Sequence, residues 1–76
     1  MKYLSEIKEI VAGILQIPVE QLDVNANMND VENWDSLRNL VILSTLEEHF
    51  EIQFPDDDIF DLTNVQALAD EIEKLK

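Results

Sequence analysis

The chain has 76 residues and no cysteine, and 46% of its residues are apolar; this suits one small domain, residues 1–76, and excludes a disulfide framework and a cysteine nucleophile. Seventeen acidic residues against five lysines and arginines give a net charge of −12, which disfavours binding to nucleic acids or anionic membranes and favours basic protein surfaces. The longest apolar run, residues 40–43, is too short to span a bilayer, so we expect a soluble, cytoplasmic monomer with no stable membrane insertion.

The first predicted helix lies before Pro18. Its apolar residues share one face at three- and four-residue steps: Leu4, Ile7, Val11, Ile14 and Leu15. The helix should end near Ile17, because the residue before a proline disfavours helical geometry. The stretch from residue 18 to residue 34 has no sustained period, and its apolar side chains are spaced to pin it onto a core. These are Val19, Leu22, Val24, Met28 and Val31.

A second helix is predicted from Ser36 to about Glu51, with Asp35 as its N-cap. Its main inward face consists of four apolar residues, Ile42, Leu43, Leu46 and Phe50. Leu37, Leu40 and Val41 spread apolar character around the first two turns. Such a helix either lies at the centre of a bundle or contacts a partner protein at that end. The alternative to partner contact is that Leu40 and Val41 are simply buried in the core.

The remaining chain predicts one short helix and one longer helix. Pro55 and the carboxylates of residues 56–58 suit the start of a single short turn. Thr63 and Gln66 form a predicted capping box for the last helix. Its apolar face is Val65, Leu68, Ala69, Ile72 and Leu75. We therefore expect an all-α, four-helix bundle of three longer helices and one short helix, with a long first loop.

The sequence lacks the residues that a metal site or a catalytic site would need. Asp23, Asn25 and Asn27 match the first ligand positions of an EF-hand calcium loop, but Met28 and Trp34 replace its required glycine and glutamate. We therefore predict no metal site.

A serine nucleophile would need a nearby base. His49 is the only histidine, and on one helix it lies about 20 Å from Ser36. His49 is better interpreted as a partly exposed residue on the helix flank. We predict no catalytic residues and no enzymatic activity.

Ser36 is the most distinctive residue of the chain. Its hydroxyl lies at the positive end of a helix dipole, beside backbone N–H groups that the helix leaves free. With no base nearby, Ser36 is interpreted as a place to attach a phosphate group. The alternative is an ordinary helix start, in which Asp35 caps the helix and the serine is merely tolerated.

The segment Trp34-Asp35-Ser36-Leu37, the helix end at residues 46–50 and the block of residues 62–68 together resemble the acyl carrier proteins and the related peptidyl carrier domains. The resemblance covers essentially the whole chain. It implies that Ser36 carries 4′-phosphopantetheine, transferred from coenzyme A by a phosphopantetheinyl transferase. Asp35 would cap the helix and help to hold the Mg²⁺ of that transferase during loading.

The same resemblance assigns the second helix to partner recognition. Leu37 and Leu40 would make apolar contacts, and three acidic residues, Glu47, Glu48 and Glu51, would meet basic docking surfaces. The implied partners are the transferase, an acyl-loading ligase or transacylase, and synthase enzymes.

Arg38 and Val41 depart from the acidic residues usual in carriers of fatty-acid synthesis, and Arg38 with Trp34 looks more like peptidyl-type or stand-alone specialised carriers. The sequence therefore does not determine whether the cargo is an acyl group of a fatty-acid, polyketide or other pathway, or an aminoacyl group. The rival function of another class is an acidic helical adaptor without a prosthetic group.

Overall fold

The computed structural model describes residues 3–76, so the predicted domain includes two residues outside this range. It contains three α-helices, α1 (Leu4–Leu15), α2 (Ser36–Phe50) and α3 (Val65–Leu75). Two short 3₁₀ helices, Val19–Gln21 and Asp56–Asp61, lie in the connections. The predicted all-α architecture of three longer helices and a short one is confirmed, and the turn at Val19–Gln21 is an addition.

Helix α1 ends at Leu15, two residues before the predicted end at Ile17. Gln16 adopts the left-handed conformation, with φ of 60°, and the Ile17 N–H donates to the Ala12 carbonyl over 3.1 Å. This bonding closes the last turn in the manner of a helix C-cap. The chain therefore leaves the helix before the restriction imposed by Pro18 takes effect.

The linker from α1 to α2 packs onto the core largely as predicted. Leu22 is buried, and Val19, Met28 and Val31 are half-buried against the core. Val24 is half-buried but does not belong to this packed set. Four of the five residues predicted to pin this linker onto the core therefore do so.

One short backbone pairing ties the linker to the start of α3. The Met28 N–H donates to the Thr63 carbonyl over 2.8 Å, and the Val65 N–H donates to the Ala26 carbonyl over 3.1 Å. These bonds satisfy backbone groups of two segments that lie far apart in the sequence.

The same pairing shows that the predicted capping box of Thr63 and Gln66 is wrong. The N-cap of α3 is Asn64, whose Oδ1 accepts from the Ala67 N–H at 2.7 Å. Thr63 is held in the pairing with Met28, so the helix starts one residue later. Gln66 instead donates from its Nε2 to Asp70 Oδ1 over 3.0 Å.

The core lies between the inward faces of the three α-helices. All four residues predicted for the inward face of α2 are buried, and α2 ends at Phe50, where Glu51 takes the left-handed conformation. The buried residues of α1 and α3 pack against this face; they are Ile7, Val11, Ala12 and Leu15, and Val65, Leu68, Ala69 and Ile72. Four buried residues of the connections complete the core, Leu22, Trp34, Phe54 and Leu62.

A carboxylate pair links α3 to the second 3₁₀ helix. Glu71 is half-buried, and its Oε2 is fully covered without a hydrogen-bond donor among residues 3–76. Burial, the nearby Asp58 carboxylate and a hydrogen bond to that carboxylate raise the pKa of Glu71, and Lys74 partly opposes this rise. Two like charges held together in this way destabilise the fold when both are ionised.

Replacing Glu71 by glutamine should raise the melting temperature near neutral pH, because the amide buries no charge and can donate to Asp58. Since the folded state holds the Glu71 proton more tightly than the unfolded chain does, stability falls as pH rises from about 4.3 through the raised pKa. The gain from Glu71→Gln should therefore vanish below about pH 4. Thermal unfolding of the variant and the wild type, near neutral pH and below about pH 4, measures this difference in melting temperature.

The control variant is Glu9→Gln, which removes one charge from an exposed glutamate of α1. An increase in melting temperature no larger than that of the control would contradict the assignment. So would an increase that is the same at both pH values.

Candidate functional site

Ser36 is the first residue of α2 and is exposed. Asp35 is in extended conformation, and its Oδ1 accepts from the Arg38 N–H at 2.8 Å, which confirms Asp35 as the N-cap. The Asp35 carbonyl accepts from the Asn39 N–H at 2.9 Å. The N–H groups of Ser36 and Leu37 have no acceptor within the helix, so the exposed hydroxyl stands beside free donors.

The residue before the N-cap is anchored in the core. Trp34 is only 2% exposed, and its indole Nε1 donates to Asn39 Oδ1 over 2.9 Å. Asn39 is itself only 7% exposed. This buried hydrogen bond fixes the approach to Ser36 onto the first turn of α2.

Two side chains next to Ser36 also cap the end of α1. Arg38 Nη1 donates to the Ile14 carbonyl over 2.8 Å, and Asn33 Nδ2 donates to the Leu15 carbonyl over 2.9 Å. The last carbonyls of a helix lack internal donors, and a cation there also complements the helix dipole. Arg38, a departure from the pattern of fatty-acid carriers, thus has a structural role in this fold.

The apolar residues on the outer side of α2 are open to solvent. Leu37 is 72% exposed, Leu40 58% and Val41 46%, so the interpretation of Leu40 and Val41 as buried core residues is wrong. Leu37, Val41 and Glu48 recur on the exposed face of the helix at helical spacing.

A largely apolar groove with a volume of about 260 Å³ opens beside Ser36. Its walls come from α2, from the linker, from the second 3₁₀ helix and from Thr63 in the connection to α3. The lining residues are Met28, Ser36, Asn39, Leu40, Ile59, Phe60 and Thr63. Phe60 is 87% exposed at the rim. A long, mostly aliphatic group attached to Ser36 would therefore start within this groove.

The three acidic residues predicted to meet partners differ in their surroundings. Glu48 and Glu51 are exposed, whereas Glu47 is half-buried and its Oε2 accepts from the Phe54 N–H at 2.8 Å. Glu47 therefore holds the chain that follows α2, a role that the sequence pattern did not reveal.

His49 lies far from Ser36 and contacts a residue of α1 instead. It is about half exposed, as predicted, and its Nε2 lies 3.1 Å from Glu6 Oε2 on α1. The two residues are at opposite ends of α2, so His49 does not act as a base for Ser36.

The loop that partly matched an EF-hand uses its side chains locally. Asn27 Nδ2 donates to Asp30 Oδ2 over 2.7 Å, and Asn27 Oδ1 accepts from the Asn29 N–H at 2.8 Å. Within residues 3–76, no three His, Cys, Asp or Glu side chains are grouped to hold a metal ion. The same residues include no helix of the length and apolar character needed to cross a membrane.

Comparisons with known proteins agree with this geometry. A family model described as "Phosphopantetheine attachment site" matches residues 5–72. The acyl carrier protein of Buchnera aphidicola subsp. Schizaphis graminum is 37% identical over 67 residues, which are 88% of this chain and 85% of that protein. The acyl carrier protein of Thermosynechococcus vestitus is 33% identical over 67 residues, covering 88% of this chain and 83% of the relative.

Solved structures show the same fold. The holo acyl carrier protein from Geobacter metallireducens has a TM-score of 0.86 and 29% identity, over 99% of this chain and 86% of that one. A holo acyl carrier protein from Nitrosomonas europaea, 22% identical, has a TM-score of 0.83 over 97% of this chain and 95% of its own. The chain therefore belongs to the phosphopantetheine-dependent acyl carrier proteins, which are carriers and not enzymes.

Proposed function

We propose that Ser36 is the residue that receives 4′-phosphopantetheine and that the chain presents acyl groups on this arm to partner enzymes. The supporting observation is the position of the Ser36 hydroxyl, which is exposed at the start of α2 and lines the apolar groove. Free N–H groups and the positive end of the dipole favour a phosphodiester there. The arm supplies a thiol for thioesters, whereas the chain has no cysteine.

The other two serines fit the role less well. Ser44 lies in the middle of α2, where the backbone N–H groups bond within the helix. Ser5 lies in the first turn of α1 together with Glu6, whose carboxylate would repel a phosphate. The first turn of α2 contains no acidic residue. Among the three serines, Ser36 therefore combines an open helix start with a groove for the arm.

Asp35 is proposed to take part in loading as well as in capping. Its Oδ1 serves the cap, which leaves Oδ2 of an exposed side chain for a Mg²⁺ ion on the transferase. Carboxylate oxygens are ligands that Mg²⁺ favours.

The test of the carrier function is the intact mass of the wild-type protein after incubation with coenzyme A and a phosphopantetheinyl transferase of broad specificity. We expect the mass to rise by one phosphopantetheine group and no more. An unchanged mass, with a transferase shown to be active on a known carrier, would favour the acidic adaptor without a prosthetic group.

We also propose that the exposed face of α2 docks the transferase, loading ligases or transacylases, and synthases. Leu37 and Leu40 offer apolar contact, and Glu48 and Glu51 offer exposed charge. From residue 39 to residue 73 there are ten acids and no lysine or arginine. Such a field accelerates encounters with basic surfaces while keeping them reversible.

Glu48→Lys should raise the KM for the carrier in the transferase reaction by roughly tenfold, since like charge at an interface mainly affects encounter. The matched control is Glu20→Lys, at an exposed residue of the first 3₁₀ helix, which should change KM much less. Equal effects of the two variants would mean that net charge alone, and not the α2 face, governs docking.

A further inference from the structure

Asn39 is the one buried polar side chain among residues 3–76, with 7% of its surface exposed. Its carboxamide orientation follows from its partner. An indole N–H can only donate, so the oxygen of the amide, Oδ1, must face Trp34 Nε1 at 2.9 Å. The NH₂ group, Nδ2, is therefore turned away from Trp34.

This NH₂ group lacks a protein acceptor. No side-chain or backbone oxygen in the described part of the chain accepts a hydrogen bond from Asn39 Nδ2. Asn39 also lines the groove that begins at Ser36. Asn39 Nδ2 is not among the fully covered unpaired side-chain atoms of residues 3–76, so water or a ligand in the groove can reach it and accept its hydrogen bond.

The spacing along α2 determines which part of a ligand reaches this donor. Asn39 follows Ser36 by three residues, so their Cβ atoms lie about 5–6 Å apart on neighbouring turns. A group attached to the Ser36 hydroxyl would pass Asn39 soon after its phosphate. In phosphopantetheine this part carries a hydroxyl and an amide carbonyl, and its methyl groups suit the apolar walls formed by Leu40 and Ile59.

We propose that Asn39 Nδ2 donates a hydrogen bond to an oxygen of the phosphopantetheine arm on Ser36, and that Trp34 fixes the amide in the orientation required. The proposal rests on the carrier function proposed above. It makes Asn39 a binding residue for the arm and Trp34 a positioning residue that acts through Asn39. Since Trp34 is the only tryptophan, its indole resonance reports on the same hydrogen bond.

The test compares ¹⁵N NMR spectra of the unloaded protein, the protein loaded with phosphopantetheine, and the loaded protein carrying an acetyl thioester. On loading with the arm alone, we expect the Asn39 side-chain NH₂ protons to shift downfield and the Trp34 indole resonance to move with them. The side-chain NH₂ of Asn25, an exposed linker residue, is the internal control and should stay in place.

The intact mass of each sample separates the two proposals. A protein that gains no mass contradicts the carrier function. A protein that gains one phosphopantetheine but shows no shift at Asn39 overturns the role of Asn39 alone. A shift that occurs only with the acetyl thioester also overturns it, because the acceptor would then belong to the cargo.

The variant Asn39→Asp provides a second measurement, since it keeps an oxygen for Trp34 and removes the donor. We expect its Trp34 indole resonance to lose its response to loading, compared between unloaded protein and the fraction that mass spectrometry shows to be loaded. A wild-type response of the indole in this variant would contradict the proposed coupling. If the variant does not fold, the wild-type spectra still decide the question.

Discussion

Ser36→Ala should remain folded and should gain no phosphopantetheine from an active transferase, because no hydroxyl is left at the start of α2. The side chain is exposed, and alanine is a good helix former, so the free energy of unfolding should change by less than about 0.5 kcal/mol. Intact mass spectrometry measures loading, and thermal unfolding by circular dichroism checks the fold. The expected loss of loading is complete.

The matched control is Ser44→Ala, which removes an exposed hydroxyl two turns further along the same helix. This variant should load to the same extent as the wild type. Loading of the Ser36 variant, or loss of loading in the Ser44 variant, would assign attachment to another residue.

Trp34→Ala should have the largest effect on stability. Truncation of a large core side chain costs about 3–5 kcal/mol, and Trp34 is 2% exposed. The variant also removes the donor to Asn39 Oδ1, which leaves a buried acceptor unpaired. A domain of this length has a total stability of roughly 4–11 kcal/mol, so the variant should lose a large fraction of its stability and melt at a much lower temperature than the wild type.

Urea unfolding followed by far-UV circular dichroism measures this effect without relying on tryptophan fluorescence. Phe60→Ala is the control, since this aromatic side chain is 87% exposed and its loss should change the free energy of unfolding by less than about 0.5 kcal/mol. A loss below about 1 kcal/mol in Trp34→Ala would contradict the anchoring role of Trp34.

The helices were predictable because their determinants are local. Apolar residues at helical spacing identified the inward face of α2, and Asp35 was recognisable as an N-cap from its residue type and position. The start of α3 was not predictable in the same way. Thr63 has the chemistry of a cap, but its pairing with Met28 moves the cap to Asn64.

The candidate site was predictable in its reactive residue and not in its surroundings. Ser36 stood out because three observations apply to this one residue. It is a serine, it begins a helix, and no base lies near it in the sequence. The groove joins residues 28, 36, 39–40, 59–60 and 63, which only the tertiary fold brings together. Asn39 did leave a signal, since it precedes Ile42 and Leu43 by three and four residues and so shares their buried face.

The hydrogen-bond partners of long polar side chains were also not predictable from the sequence. Glu47 and Arg38 can reach several partners, and sequence position does not choose among them. The structure pairs Glu47 with the Phe54 N–H and Arg38 with the Ile14 carbonyl. Both contacts join segments outside the helix that carries the side chain, so no helical spacing rule could reveal them.

The attachment of phosphopantetheine to Ser36 is tested most directly by fragmenting the loaded wild-type protein in a mass spectrometer. This measurement needs no variant and distinguishes the three serines at residues 5, 36 and 44. We expect every fragment that contains Ser36, and no fragment that lacks it, to carry the added mass of one group. The group on Ser5 or Ser44, or no added mass at all, would contradict the account.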